Sequence, residues 1–137
     1  MPELLAPLTV RCAELLSEFA QHGELIDRSG GGRLVEVYPG AAMRLWGISG
    51  DGYETDVAAR ASLAADFMER VPWFVLEAEA VTLMSRSDDA FDAVIASFIA
   101  RSHALSRTLA PPDSWHARAA TEGWIALPTA SIDQLFE

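Results

Sequence analysis

Ser85-Arg86-Ser87-Asp88-Asp89-Ala90-Phe91-Asp92-Ala93 is the stretch on which the fold turns. Ser87 is a helix N-cap by type, and the aspartates after it fall in the first turn, where carboxylates complement free N–H groups and the helix dipole. Asp88 and Asp92 are four apart and Asp89 and Asp92 three apart, so either pair shares a helix face. Two readings follow. The acids are cap residues and nothing more, or they form a functional acidic cluster at the mouth of a helix.

Behind the acids, Phe91, Val94, Ile95, Phe98, Ile99 and Leu105 keep a helical period to about residue 106, with Ala90, Ala93, Ala96 and Ala100 keeping the helix slim enough to lie against a sheet. Ser102 falls on the apolar stripe, where its hydroxyl is expected to bond back to a helix carbonyl. Arg101, His103 and Arg107 sit where cations suit a helix C-terminus, so His103 reads as surface.

Moving toward the N-terminus, residues 73–84 carry Phe74, Leu76, Ala80, Val81 and Leu83 and are expected to form a helix, although residues 73–76 alone would pass for a short strand. Residues 56–70 form the helix before it, broken by Pro72. Arg60 on that helix either pairs a site carboxylate, touches a phosphate, or makes a surface salt bridge. Residues 41–47 read as a short helix in which Trp46 is core or interface. A loop follows, in which Tyr53 folds back over the site or merely covers it.

The best strand is 34–38, Leu34-Val35-Glu36-Val37-Tyr38. Alternation places Glu36 on the face of Leu34 and Tyr38, where a buried acid must be paired, coordinated or near the sheet's end. The three glycines at 30–32 precede a strand, not the Gly-Lys-Ser/Thr and helix of a phosphate loop, so they read as a turn. Residues 7–22 form an amphipathic helix through Leu8, Cys12, Leu15 and Phe19, closed by Gly23, with Cys12 expected in the core. On the C-terminal side, residues 117–123 suggest a helical turn with an isolated His116, and 124–128 a short strand; the tail to 137 carries no strong signal.

At 137 residues, 50% hydrophobic and 22% charged, the chain suits one globular domain spanning 1–137. Ten basic residues, all arginine, face twenty acidic ones, a formal charge of -10. That charge does not support a broad nucleic-acid surface, although carboxylates that bind divalent cations can still approach a phosphate. A single cysteine excludes an internal disulfide framework. The acidic start is unlike a signal peptide, and no apolar run reaches the roughly 18–20 residues of a membrane span, so a cytoplasmic location without membrane association is expected.

The ordered set Val35-Glu36-Val37-Tyr38-Pro39-Gly40-Ala41-Ala42, Leu45-Trp46-Gly47, Gly52-Tyr53, Arg60, Ser87-Asp88-Asp89-Ala90-Phe91-Asp92-Ala93, Ala100-Arg101, Glu122-Gly123-Trp124-Ile125 and Leu127-Pro128 resembles the bacterial and archaeal domain-of-unknown-function family numbered 429, DUF429, over about residues 33–128. The family is usually described as predicted nucleases with a ribonuclease H-like fold. The resemblance implies an α/β fold with a few-stranded sheet packed by several helices, and two Mg or Mn ions held by carboxylates. Glu36 would match the acid of the fourth strand, and Asp89 and Asp92 those of a late helix, with Asp88, Arg60 and Tyr53 auxiliary. Two metals about 3.5–4 Å apart would activate a water and stabilise the leaving oxygen of a phosphodiester.

The sequence departs from the family in two places. It has no glycine-rich opening strand with a leading aspartate, so it resembles the C-terminal half of the fold and is expected to be incomplete or inactive as an isolated chain. Glu54 follows Tyr53 where the family often has a basic residue. The competing expectation is a non-enzymatic homo-oligomer, for which a homodimer would use the sheet edge, the first helix, or Trp46 and Trp73.

Overall fold

In the computed structural model residues 2–136 are described, with side chains from residue 7 onward. The chain divides into two compact units, residues 1–36 with 111–124 and residues 37–110 with 125–137. The architecture is α/β, with a small two-stranded sheet and several helices. Strand β1, Glu36–Val37, pairs with β2, Ile125–Ala126, so the expected strands over 34–38 and 124–128 each contract to two residues. Pro39 accounts for one end of β1: it takes the first helical position of the next element instead of merely ending the strand.

The first unit contains α1, Pro2–Gln21, a 3-10 turn at Asp113–Trp115 and α6, His116–Glu122. Helix α1 begins earlier than expected and runs through Pro7. Gly23 closes it at φ +89°, its amide donating to the Ala20 carbonyl. The expected burial of its stripe is not found. From residue 7 to 20 every side chain is exposed except Leu16, which is half-buried, and Cys12 is exposed and not a core residue. His116 lies on the surface as expected, its Nε2–H donating to the Pro111 carbonyl at 3.0 Å.

The second unit contains α2, Pro39–Leu45, α3, Val57–Arg70, α4, Ala78–Arg86, and α5, Asp88–Ala104. Asp56 caps α3, its Oδ1 accepting from the amides of Ala58 and Ala59. Helix α5 occupies the centre: Phe91, Ile95, Phe98 and Ile99 are buried, with Phe67 of α3 edge-on to both Phe91 and Phe98. Trp46 is also buried, and its indole N–H donates to the Ala130 carbonyl at 3.2 Å, which removes it as an interface residue.

Helix α4 starts at Ala78, five residues later than expected. Pro72 restricts Val71 to a non-helical conformation, and the Phe74 amide donates to the Val71 carbonyl in a turn. That turn lets the adjacent Trp73 and Phe74 rings both reach Phe98, at 5.4 and 4.8 Å between centroids, which favours it over another helical turn. The tail proves structural. Ile132 and Leu135, in a 3-10 segment at Ile132–Phe136, are fully buried, and Arg101 and Arg107 donate to the carbonyls of Leu135 and Gln134. Ser102 is fully buried with no partner for its hydroxyl, so the expected bond back to a helix carbonyl is not made. Among the described residues, no helix is long and apolar enough to cross a membrane.

Candidate functional site

The start of α5 forms as its sequence dictates. Ser87 has extended backbone angles and its Oγ accepts from the Ala90 amide at 3.2 Å, which leaves Asp88 and Asp89 in the first turn. Asp89 is exposed and Asp88 half-buried. Asp92, one turn on, is half-buried and accepts a hydrogen bond from the Tyr53 hydroxyl at 2.8 Å.

Tyr53 reaches Asp92 because the glycine loop before α3 folds tightly. The Tyr53 amide donates to the Gly50 carbonyl, and the amides of Thr55 and Asp56 both donate to Gly52, itself at φ +77°. The ring is buried against Phe91, centroids 5.4 Å apart. Tyr53 thus folds back onto Asp92.

Arg60 is not the surface salt bridge that its position on an amphipathic helix suggested. It is 4% exposed, and its two terminal nitrogens donate to the carbonyls of Arg86, at 3.0 Å, and Glu54, at 3.1 Å. The first is the last carbonyl of α4, where the helix dipole is negative, so a buried guanidinium is favoured there. Arg60 therefore ties the Tyr53–Glu54 loop to the α4–α5 junction, fixing both sides of the Tyr53–Asp92 bond. Its Nε has no partner.

The electrostatics follow from this packing. Burial pushes the Asp92 carboxyl above the ordinary carboxylate range; the Tyr53 hydrogen bond pulls it back, and the charges of Asp88, Glu54 and Asp89 add to the upward shift. Burial first, and then the bond to Asp92, hold the Tyr53 hydroxyl well above its usual range, so it stays a donor at all ordinary pH. Glu54, which replaces an expected basic residue, thus joins the acidic group. The sequence signal that could have found it is its place directly after the Gly-Tyr pair.

A cleft of about 510 Å³ opens beside this loop, lined by Tyr38, by residues of α2 including Arg44, and by the loop including Tyr53 and Glu54. Asp88, Asp89 and Asp92 are not among its lining residues, so it is a neighbour of the acidic group and not its mouth.

Glu36 lies in the other unit, and its partner there is Arg28, whose Nε donates to Oε1 at 2.6 Å. Arg28 also reaches the Glu122 carbonyl at 3.4 Å. Gly123, at φ +92°, leaves room for this pair: a Cβ there would stand 2.6 Å from Glu36 Oε1 and 2.8 Å from Arg28 Nη2. The three glycines serve the same unit. Ser29 closes a turn on the Asp27 carboxylate, and a Cβ on Gly30 would stand 2.7 Å from the Trp124 ring. Arg28 was missed in sequence because nothing in a strand pattern points eight residues back.

Of the sequence-derived candidates, the structure groups Asp88, Asp92, Tyr53 and Arg60 around the start of α5, with Asp89 exposed on the same turn. Among the described residues, no group of three or more His, Cys, Asp or Glu side chains is arranged to hold a metal ion. The acids are close enough to perturb one another without closing around one ion.

No curated protein and no solved structure matches the chain. Residues 5–116 match the family described as Protein of unknown function (DUF429), and the chain belongs to that family. The match reaches further toward the N-terminus than the resemblance over 33–128, taking in most of α1.

Proposed function

We propose that this DUF429 member carries the acidic half-site of a metal-dependent phosphodiesterase or nuclease with a ribonuclease H-like fold, with Asp89 and Asp92 as the central carboxylates, Asp88 beside them, and Tyr53 and Arg60 as positioning residues. Glu36, which the resemblance implies as the fourth-strand acid, is held by Arg28 within its own unit and is not needed for this half-site. The observation that carries the proposal is Asp92: a half-buried carboxylate, held in place by a buried tyrosine and raised first by burial and then by three neighbouring acids. Capping alone requires none of this, since Ser87 already satisfies the Ala90 amide. Like charges gathered at a partly dry position cost stability, and such perturbed carboxylates cluster at functional sites.

The support is the charge pattern and not a closed ligand set, so no catalytic step is assigned to a metal. What the protein groups do is specific. Tyr53 holds one Asp92 oxygen, leaving the other for a ligand, and Arg60 holds the loop and the junction that carry them.

The test is a titration of 15N-labelled protein with MgCl2 and MnCl2. Amide shifts or paramagnetic broadening concentrated at residues 50–54 and 87–92, and lost in Asp92→Asn, support the proposal. An unchanged spectrum with millimolar metal sinks it. Hydrolysis of an activated phosphodiester with either metal, weakened by the same substitution, would extend it to catalysis. The second reading, a non-enzymatic homo-oligomer, is favoured by the exposed apolar stripe of α1.

A further inference from the structure

Helix α1 is 20 residues long, and in proteins most of a helix's stability comes from packing an amphipathic face and not from propensity. In α1 that face is left partly open: Leu8 is 68% exposed, Phe19 44% and Leu15 39%, and Cys12 is exposed between them. These four residues, at steps of four, three and four, keep the seam of a coiled coil over two heptads, with Leu8 and Leu15 at d and Cys12 and Phe19 at a. The charges beside the seam identify the occupant. Arg11 and Glu18 both take the g position, and Arg11 is the only basic residue of the helix.

We propose that the seam of α1 is covered by α1 of a second copy of this chain, running antiparallel. In that arrangement a residues meet d residues across the two-fold axis, so Cys12 packs on the partner's Leu15 and Leu8 on the partner's Phe19. The same register places each Arg11 against the other helix's Glu18, giving two opposite-charge pairs by symmetry. A parallel pair would instead set Arg11 beside Leu16 and Cys12 beside Cys12, with no charge matched. Arg11 already holds Glu14 at 3.2 Å on its own helix, which turns the guanidinium along the surface without burying it. The pairing draws on α1 alone and stands independently of the catalytic reading.

The experiment is sedimentation velocity on the full chain from about 10 µM to about 1 mM, the range of a short, weak interface. The wild type should pass from monomer to dimer. Leu15→Glu should remain monomeric with unchanged far-UV circular dichroism. Arg11→Glu or Glu18→Arg alone should weaken dimerisation about 5- to 30-fold, and the double reversal should restore it, since opposite charges meet again. Orientation is read by oxidation: Leu15→Cys should form a covalent dimer through Cys12 and the new thiol, whereas wild-type Cys12 should not cross-link. A wild type that is monomeric throughout, a double reversal no better than the singles, or efficient cross-linking through Cys12 alone would each overturn the proposal.

Discussion

Replacing Tyr53 by Phe removes one hydroxyl and keeps the ring on Phe91, so it isolates the bond to Asp92. A hydrogen bond to a charged group contributes about 1.5–3 kcal/mol, and because Asp92 is only half-buried, water replaces part of the loss; the expected cost near pH 7 is about 1–2 kcal/mol. The effect should depend on pH in a definite direction. Asp92 is raised in the folded chain, so between its unfolded and folded pKa the native state binds more protons and stability falls as pH rises. The Tyr53 bond is the influence that opposes this shift. Without it Asp92 titrates higher still, and the variant loses more stability than the wild type across that window. Near pH 3 the carboxyl is neutral in both states, and the deficit should shrink to that of a neutral hydrogen bond, about 0.5–1 kcal/mol. Urea denaturation from pH 3 to pH 8 measures it, with Asp92→Asn as the background in which the pH dependence of the deficit should vanish. A deficit that is equal at both ends, or larger in acid, would refute the reasoning.

Other substitutions address the surrounding scaffold. Arg60→Met leaves the carbonyls of Arg86 and Glu54 without their donor and should cost about 2–4 kcal/mol, with faster amide exchange over residues 50–56. Gly123→Ala forces a side chain into a conformation that suits only glycine and into the Arg28–Glu36 pair; urea midpoints should show a loss of about 1–3 kcal/mol. Ser102→Ala removes a buried hydroxyl that has no partner, so Tm should stay the same or rise; a fall equivalent to more than about 1 kcal/mol would mean that the hydroxyl is satisfied after all.

Where local signals and burial agree, the sequence is a good guide. The apolar periods, with Ser87 as the cap of the second, locate α3 and α5 to within about two residues, although the capping role of Asp56 emerges only from the structure. Helix α1 is legible as a helix, but a period says only which face is apolar and not whether anything covers it. Strand propensity at 34–38 and 124–128 is real, yet a ladder also needs a partner, and only two residues on each side find one. Trp73 and Phe74 suit a helix by pattern and are taken from it by Phe98. The tail is silent in sequence because Ile132 and Leu135 are too few to show a period, although both are fully buried. In the site, the acids at 88, 89 and 92 are visible as a spacing. The bond of Asp92 to Tyr53, 39 residues away, and the burial of Arg60 depend on tertiary packing that no local rule contains.

The interleaving of the two units sets the order in which a ribosome can complete them. The unit holding α2 to α5 ends its first segment at Ala110, and the chain then supplies residues 111–124 to the other unit before returning. Until residues 125–136 emerge, Trp46 lacks the Ala130 carbonyl, Arg101 and Arg107 lack theirs, and the space filled by Ile132 and Leu135 is open. The nascent helices must therefore wait, partly assembled, through the synthesis of a segment that belongs elsewhere. Neither unit can be excised as one continuous piece, and a stop codon placed after Trp124 would release a chain whose central helix has lost the layer that seals it.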